Sequence, residues 1–314
     1  MMTYLLAILA ACANATSSVL QRKASREIPQ RQNLSPRLIW SLLHEPVWFG
    51  GVLAVTVGFL LQAAALGSGQ LSVVEPIMVL ELPATLLLAT RVFHARLHRR
   101  EWGAAVAMAA GLAAMLYALS PSAGRSEDIP WYVWVIGIGV NLAFVAAMVA
   151  WGRRGPAGGG PHTSNSSARQ AALLAVGAGA AFGLTAALIK GVTNTFSHGL
   201  VTLLTSWQLY AMVAAGVGGM FLLQSAMNAG RLVAAQPGLT LTDPIVSILW
   251  GVLVFHEQVR TGWFLVLTVA GGLVMAGAVL VLARSPLLSD ESGRDERPRA
   301  EPARSSPRGS GGKR

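Results

Sequence analysis

The chain is short of charge. Only 12% of its 314 residues are Asp, Glu, Lys or Arg, while 53% are hydrophobic and the mean hydropathy is positive. Soluble domains carry roughly 25% charged residues, so so few cannot cover the surface of a soluble fold of this length. Cysteine is nearly absent as well. Cys12 stands alone, which excludes an internal disulfide. No histidine falls inside the apolar runs described below, and there is no P-loop, dinucleotide fingerprint or Ser/His/Asp set. His44-Glu45 and His256-Glu257 lack the second histidine of a zinc-protease motif. These absences argue against an ATP-driven pump and an intramembrane hydrolase; neither an enzyme nor a cofactor is expected.

What is present is a series of apolar runs. A membrane-spanning helix needs about 20 apolar residues to cross ~30 Å of hydrocarbon. Runs of this kind extend over Met2 to Leu20, Val47 to Leu66, Leu71 to Thr90, Trp102 to Leu119 and Trp131 to Trp151. Four more cover Ala171 to Ile189, Leu200 to Leu223, Leu232 to Phe255 and Trp263 to Ala283. Trp48, Trp102, Trp131, Trp151, Trp207 and Trp263 mark their ends, as amphipathic rings do at headgroups. Gly179 and Gly183 form a GxxxG pair, a spacing that lets helix backbones approach closely in lipid. The expectation is an all-α polytopic membrane protein of about nine spans.

Basic residues orient it. Of the 24, all but Arg125, Lys190 and Arg260 lie on one side of the alternating runs. The positive-inside rule then places the N-terminus outside and the C-terminus in the cytoplasm, in a multi-pass inner-membrane protein. The net charge of +10 belongs to these loops, so no nucleic acid is expected as partner. Leu9-Ala10-Ala11-Cys12 and Ala13-Asn14-Ala15 look like cleavage sites, but Met1 to Leu5 carries no charge. A signal peptide wants a basic n-region, so an uncleaved anchor is expected. Leu34, Leu38, Ile39, Leu42 and Leu43 fall on one face of an interfacial helix over about 34–46. Gly155 to Ser167 reads as a flexible linker, and 284–314 as a disordered cytoplasmic tail.

The two halves echo each other. Phe59-Leu60-Leu61-Gln62 recurs as Phe221-Leu222-Leu223-Gln224, and Val92-Phe93-His94 as Val254-Phe255-His256. Pro76 and Pro83 recur as Pro237 and Pro244, and Trp102 and Gly111 as Trp263 and Gly272. A first repeat over 1–120 and a second over 171–283 then flank a connector region, 121–170, whose single span inverts the second repeat. Inverted repeats are the architecture of alternating-access transporters, which bind substrate near the midplane.

Pro237, Pro244, Glu257 and Gly271-Gly272 lie in a Pro-bearing helix, a short loop and a Gly-rich last span. In these the chain resembles the drug/metabolite transporter superfamily, the EamA-like proteins. That resemblance implies transport of a small metabolite or drug-like compound. Ala95 where the first half would carry an acidic residue is a departure, and nine spans rather than ten is another. Ser17-Ser18-Val19-Leu20-Gln21-Arg22-Lys23, an opening helix ending in basic residues, is similar to the nine-span NIPA-like magnesium transporters.

Of the 14 acidic residues, Glu75, Glu81 and Asp243 fall inside expected spans. An ionisable group at that depth costs ~2.5–3.5 kcal/mol even on a lenient insertion scale. Glu81 and Asp243 lie near the middle of the third and eighth spans, next to the helix-breaking prolines Pro83 and Pro244; Pro76 and Pro237 precede them. A proline frees the carbonyl four residues back, so carboxylate and carbonyl oxygens can bind a cation or polar substrate together. The structural alternative is a carboxyl hydrogen-bonded to a neighbouring helix. Glu75, about one turn from the outer face, is expected to reach water or the site. Gln62, Gln224 and Gln236 are expected as interhelical glue, with Gln62 and Gln236 also site candidates. Lys190 is expected to snorkel to the interface. His94 and His98 have a metal-like spacing, but the surrounding arginines favour a solvated basic loop; no metal ligand set is identified.

The reading is a secondary transporter for a small molecule or cation, with the bilayer as its partner and a homodimer left open. A magnesium transporter and a non-transporting scaffold are the alternatives.

Overall fold

The computed structural model describes residues 1–27, 46–93, 98–122, 124, 129–153, 164–196, 199–229 and 232–283. The expected interfacial helix, His94 and the tail lie outside these residues. The described chain is helical: α1 (Met2–Glu27), α2 (Pro46–Ser68), α3 (Leu71–Met78), α4 (Glu81–Phe93), α5 (Arg99–Leu119), α6 (Trp131–Arg153), α7 (Ser164–Phe196), α8 (Leu200–Thr205), α9 (Trp207–Ala229), α10 (Leu232–Leu253) and α11 (Trp263–Ala283). Among the described residues the only extended pairing is one antiparallel bridge, Ser122 with Gln258.

Among the described residues eight segments are long and apolar enough to cross a membrane, with α3 and α4 counted together as one. Leu53, Val106, Val140, Val217, Phe221, Leu265 and Leu273 point outward from the bundle, an apolar coat that water would not tolerate. The protein is a polytopic membrane protein. The run expected as an eighth span folds as α10 but is not among those eight segments.

Three other boundaries differ from expectation. The seventh run is broken at Ser206, which is extended (ψ 132°), so α8 is a short separate turn and the long helix begins at Trp207. Residues 164–167 of the expected linker are already helical in α7. The third run is two helices. Around Val79-Leu80 the bonding tightens: Val79, Leu80 and Leu82 amides donate to Pro76, Ile77 and Val79 carbonyls, three residues back. Pro83 has no amide to extend the α pattern, and the break puts Glu81 in the first turn of α4.

Helix α7 is the hub. In its apolar stretch 72% of residues are buried, against 11% in α6 and α9, which face outward. It packs on α9, α10 and α6, while α1 packs on α2, α3 and α4, and α5 packs on α11. The α5–α11 crossing is reciprocal. A methyl group at Gly111 would meet the Gly271 carbonyl oxygen at 2.8 Å, and one at Gly271 would meet that of Gly111 at 2.7 Å. Only glycine permits so close a crossing.

One end of the bundle gathers the start of α1, the α2–α3 turn, and the segments after α5 and α10. Thr3 Oγ1 donates to Ser68 O at 3.2 Å, and Ser122 N and Arg260 N bond across to Gln258 O and Leu119 O. Leu66, Leu71, Ile77, Leu188 and Phe255 pack this end solidly. Trp134 of α6 stacks there against Trp207, Trp250 and Phe255, with ring centroids 5.4, 5.6 and 5.7 Å away.

Candidate functional site

Between α1–α4 on one side and α7, α9 and α10 on the other lies a cavity of about 620 Å³. Its polar lining includes Gln62 of α2, Glu75 of α3, Glu81 of α4, and Gln236 and Asp243 of α10. All five candidates from the sequence are therefore brought together, although they come from four helices. Pro244 also lines the cavity, whereas Pro76 is buried within α3. Phe59, Phe182, Met78, Met220 and Leu223 supply apolar wall, and among the described residues no Lys or Arg lines it.

The acids sit differently. Glu75 is buried and accepts a hydrogen bond from Gln62 Nε2 at 2.9 Å, so it does not face water at the rim. The α3 helix carries it inward from the packed end. Gln62 is thus interhelical glue and cavity lining at once. Glu81 Oε1 accepts from Ser18 Oγ of α1 at 3.4 Å. Asp243 lies within electrostatic range of Glu75, and its Oδ1 is buried without a hydrogen-bond partner among the described residues. Most buried polar atoms in folded proteins are paired; an unpaired carboxylate oxygen beside a cavity is the chemistry of a site that receives a donor or a cation.

The GxxxG pair positions Asp243. Methyl groups at Gly179 and Gly183 would lie 2.8 Å from Leu239 O and 3.0 Å from Asp243 O, so this face of α7 rests directly on the α10 backbone. Pro237 and Pro244 do not break α10, which runs unbroken through both; of the two proline-bearing runs, the third is the discontinuous one. Gln224 is exposed on α9, away from the cavity.

Sequence reasoning missed the α1 contribution. Asn14, Ser17, Ser18 and Gln21 line the cavity at one-turn spacing, a polar stripe on an otherwise apolar run that was there to be read. Gln21 Nε2 donates to Ser17 Oγ at 2.9 Å, and Ser17 Oγ to Gly51 O at 2.8 Å. Lys190 does not snorkel. It is buried, and its Nζ lies 2.7 Å from Glu257 Oε1 and 2.8 Å from Gly69 O. Glu257 had been legible only as an acidic residue before the last span.

Among the described residues no group of three or more His, Cys, Asp or Glu is arranged to hold a metal ion. His98 is exposed and forms the N-cap of α5, its backbone amide donating to Glu101 Oε2 at 2.7 Å.

No family model and no solved structure matches the chain. It is similar to a protein of Corynebacterium glutamicum that is described as uncharacterized, 28% identical over 293 residues, covering 91% of this chain and 97% of that one.

Proposed function

We propose that the protein is a secondary transporter of the drug/metabolite superfamily type, working by alternating access between two inverted four-span units. The units are α1–α5 and α7–α11, with α6 as connector and α10 counted as a ninth crossing. The observation that carries this reading is the polar cavity between the two groups of helices, which collects every acidic residue found within the apolar runs. Two further features support it. The helix pairings correspond between the halves, α1 with α2 and α3–α4 answering α7 with α9 and α10, and α5 meets α11 glycine to glycine. A discontinuous helix at the cavity is also the common construction of transporter sites.

In this reading the packed end that holds Thr3 and Glu257 is the outer one, and the cavity faces the cytoplasm toward Gln21 and Gln236. The substrate is a cation or a donor-rich polar molecule, because carboxylates and amides, and among the described residues no basic side chain, line the cavity. Magnesium is a poorer fit, since it prefers six oxygens at octahedral positions and sheds water reluctantly. The test is flux of amines, polar metabolites and Mg²⁺ in proteoliposomes at an imposed proton gradient. Uptake of at least one solute class is expected, lost in the double variant Glu81→Gln/Asp243→Asn. Flux indifferent to that double change would remove the site from the mechanism.

A further inference from the structure

The buried carboxylate of Glu257 accepts four hydrogen bonds, and it does not line the cavity. Its Oε1 accepts from Leu71 N at 2.7 Å and from Lys190 Nζ at 2.7 Å. Its Oε2 accepts from Ser72 N at 3.0 Å and from Ser72 Oγ. Leu71 and Ser72 open α3, so the carboxylate caps that helix's free amide groups, where a negative charge is favoured. Lys190 comes from α7, near its C-terminal end, and its ammonium also lies over the Phe255 ring, 5.1 Å from the centroid.

The local backbone is built for this grip. Beyond α10, Val254 and Phe255 amides both bond Trp250 O, and Glu257 N bonds Gly251 O at 2.9 Å. His256 takes a left-handed conformation, φ 51°, which turns the chain back so that Glu257 re-enters the bundle. A methyl group at Gly251 would come within 2.5 Å of Glu257 Oε2, so a glycine is needed beneath it. A buried ion pair is weak as a source of stability, since apolar residues of equal volume stabilise as well. Its cost is more readily accounted for by a switch that must let go.

What it grips is a short, separate helix. Helix α3 is eight residues long and is separated from α4 at Val79-Leu80. It carries Ser72 at its gripped end and Glu75, one turn further, in the cavity wall. We infer that Glu257 and Lys190 form a latch on the N-terminus of α3 that keeps the cavity closed at this end, with Val79-Leu80 as the hinge. The inference rests on the transporter reading for its purpose, but not for its test. Occupancy of the cavity at Glu75 and the state of the latch are then linked through one rigid two-turn helix.

The test uses the full chain with Cys12→Ser and a reporter, Thr185→Cys, in the cavity wall. A membrane-impermeant maleimide is applied to each side of sealed vesicles in turn. From the latch side, Glu257→Gln and Lys190→Met are expected to label on the order of tenfold faster than the parent, the response to a tenfold shift in a two-state population. Ser72→Ala, a milder change that keeps both charges, is expected to give a smaller rise and covers the case in which a charge variant fails to fold. Labelling at the parent rate in the folded variants, judged by size exclusion, overturns the latch even if flux is intact. Faster labelling without flux of any tested solute upholds the latch and counts against transport.

Discussion

Gly179 of α7 lies against the Asp243 backbone of α10: a methyl group at Gly179 would approach the Asp243 amide nitrogen to 3.1 Å and the Thr242 Cβ to 2.9 Å. The helix hub and the acidic centre of the cavity are therefore a single packing unit. Gly179→Ala is expected to destabilise by about 1–3 kcal/mol through overpacking and to weaken any Asp243-dependent activity with it. Gly218→Ala is the matched control, because nothing lies within 4 Å of its added methyl; it should gain up to about 1 kcal/mol from helix propensity. Thermal unfolding of the two variants in detergent decides the point, and equal midpoints would contradict this packing.

Half-buried Gln62 donates to buried Glu75 at 2.9 Å between α2 and α3. Gln62→Ala removes the side-chain donor and is expected to cost about 1–3 kcal/mol, the usual penalty for stranding a buried polar group. The same change made in a Glu75→Gln background should cost less. A double-mutant cycle on unfolding free energies measures the difference, and additive effects would show the two residues to be uncoupled.

His256 occupies a conformation that only glycine and a few polar residues adopt readily. His256→Gly should be neutral or gain up to about 1 kcal/mol, while His256→Val, β-branched and unsuited to positive φ, should lose about 1–3 kcal/mol. The side chain is exposed, so the contrast isolates the backbone. Melting temperatures in the reverse order would mean that the turn is formed in another way.

Trp134 is 5% exposed and touches three aromatic rings from other segments, whereas Trp131, one turn away on the same helix, is 76% exposed. Trp134→Ala is expected to cost about 3–5 kcal/mol, as large-to-small changes in packed cores do. Trp131→Ala should cost little in detergent. Similar losses at the two positions would argue against α6 being anchored through Trp134.

Much of the chemistry was visible before folding, because burial in lipid filters it. Glu75, Glu81 and Asp243 stood out as the acids inside apolar runs, and all three line one cavity. Glu75 was harder to place, because depth along a helix does not reveal which way it faces; rotation of α3 turned it inward to Gln62. Prolines at matching positions gave no means of telling that only the third run would break. Pro83 acts together with the tightened turn at Val79-Leu80, whereas α10 is held continuous against the glycine face of α7. Lys190 was misread because a lysine at the end of an apolar run usually reaches water, and its partner lies 67 residues away.

The sequence by itself determined that this chain lives in a bilayer and where most of its helices cross, since hydropathy and helix length are sums over neighbouring residues. The tertiary structure alone decided which polar side chains share a cavity and that Glu257 seizes the start of α3 across 186 residues. Such pairings depend on how each helix is rotated and how closely two backbones can approach, and both are settled by contacts between helices rather than by any stretch of chain read alone.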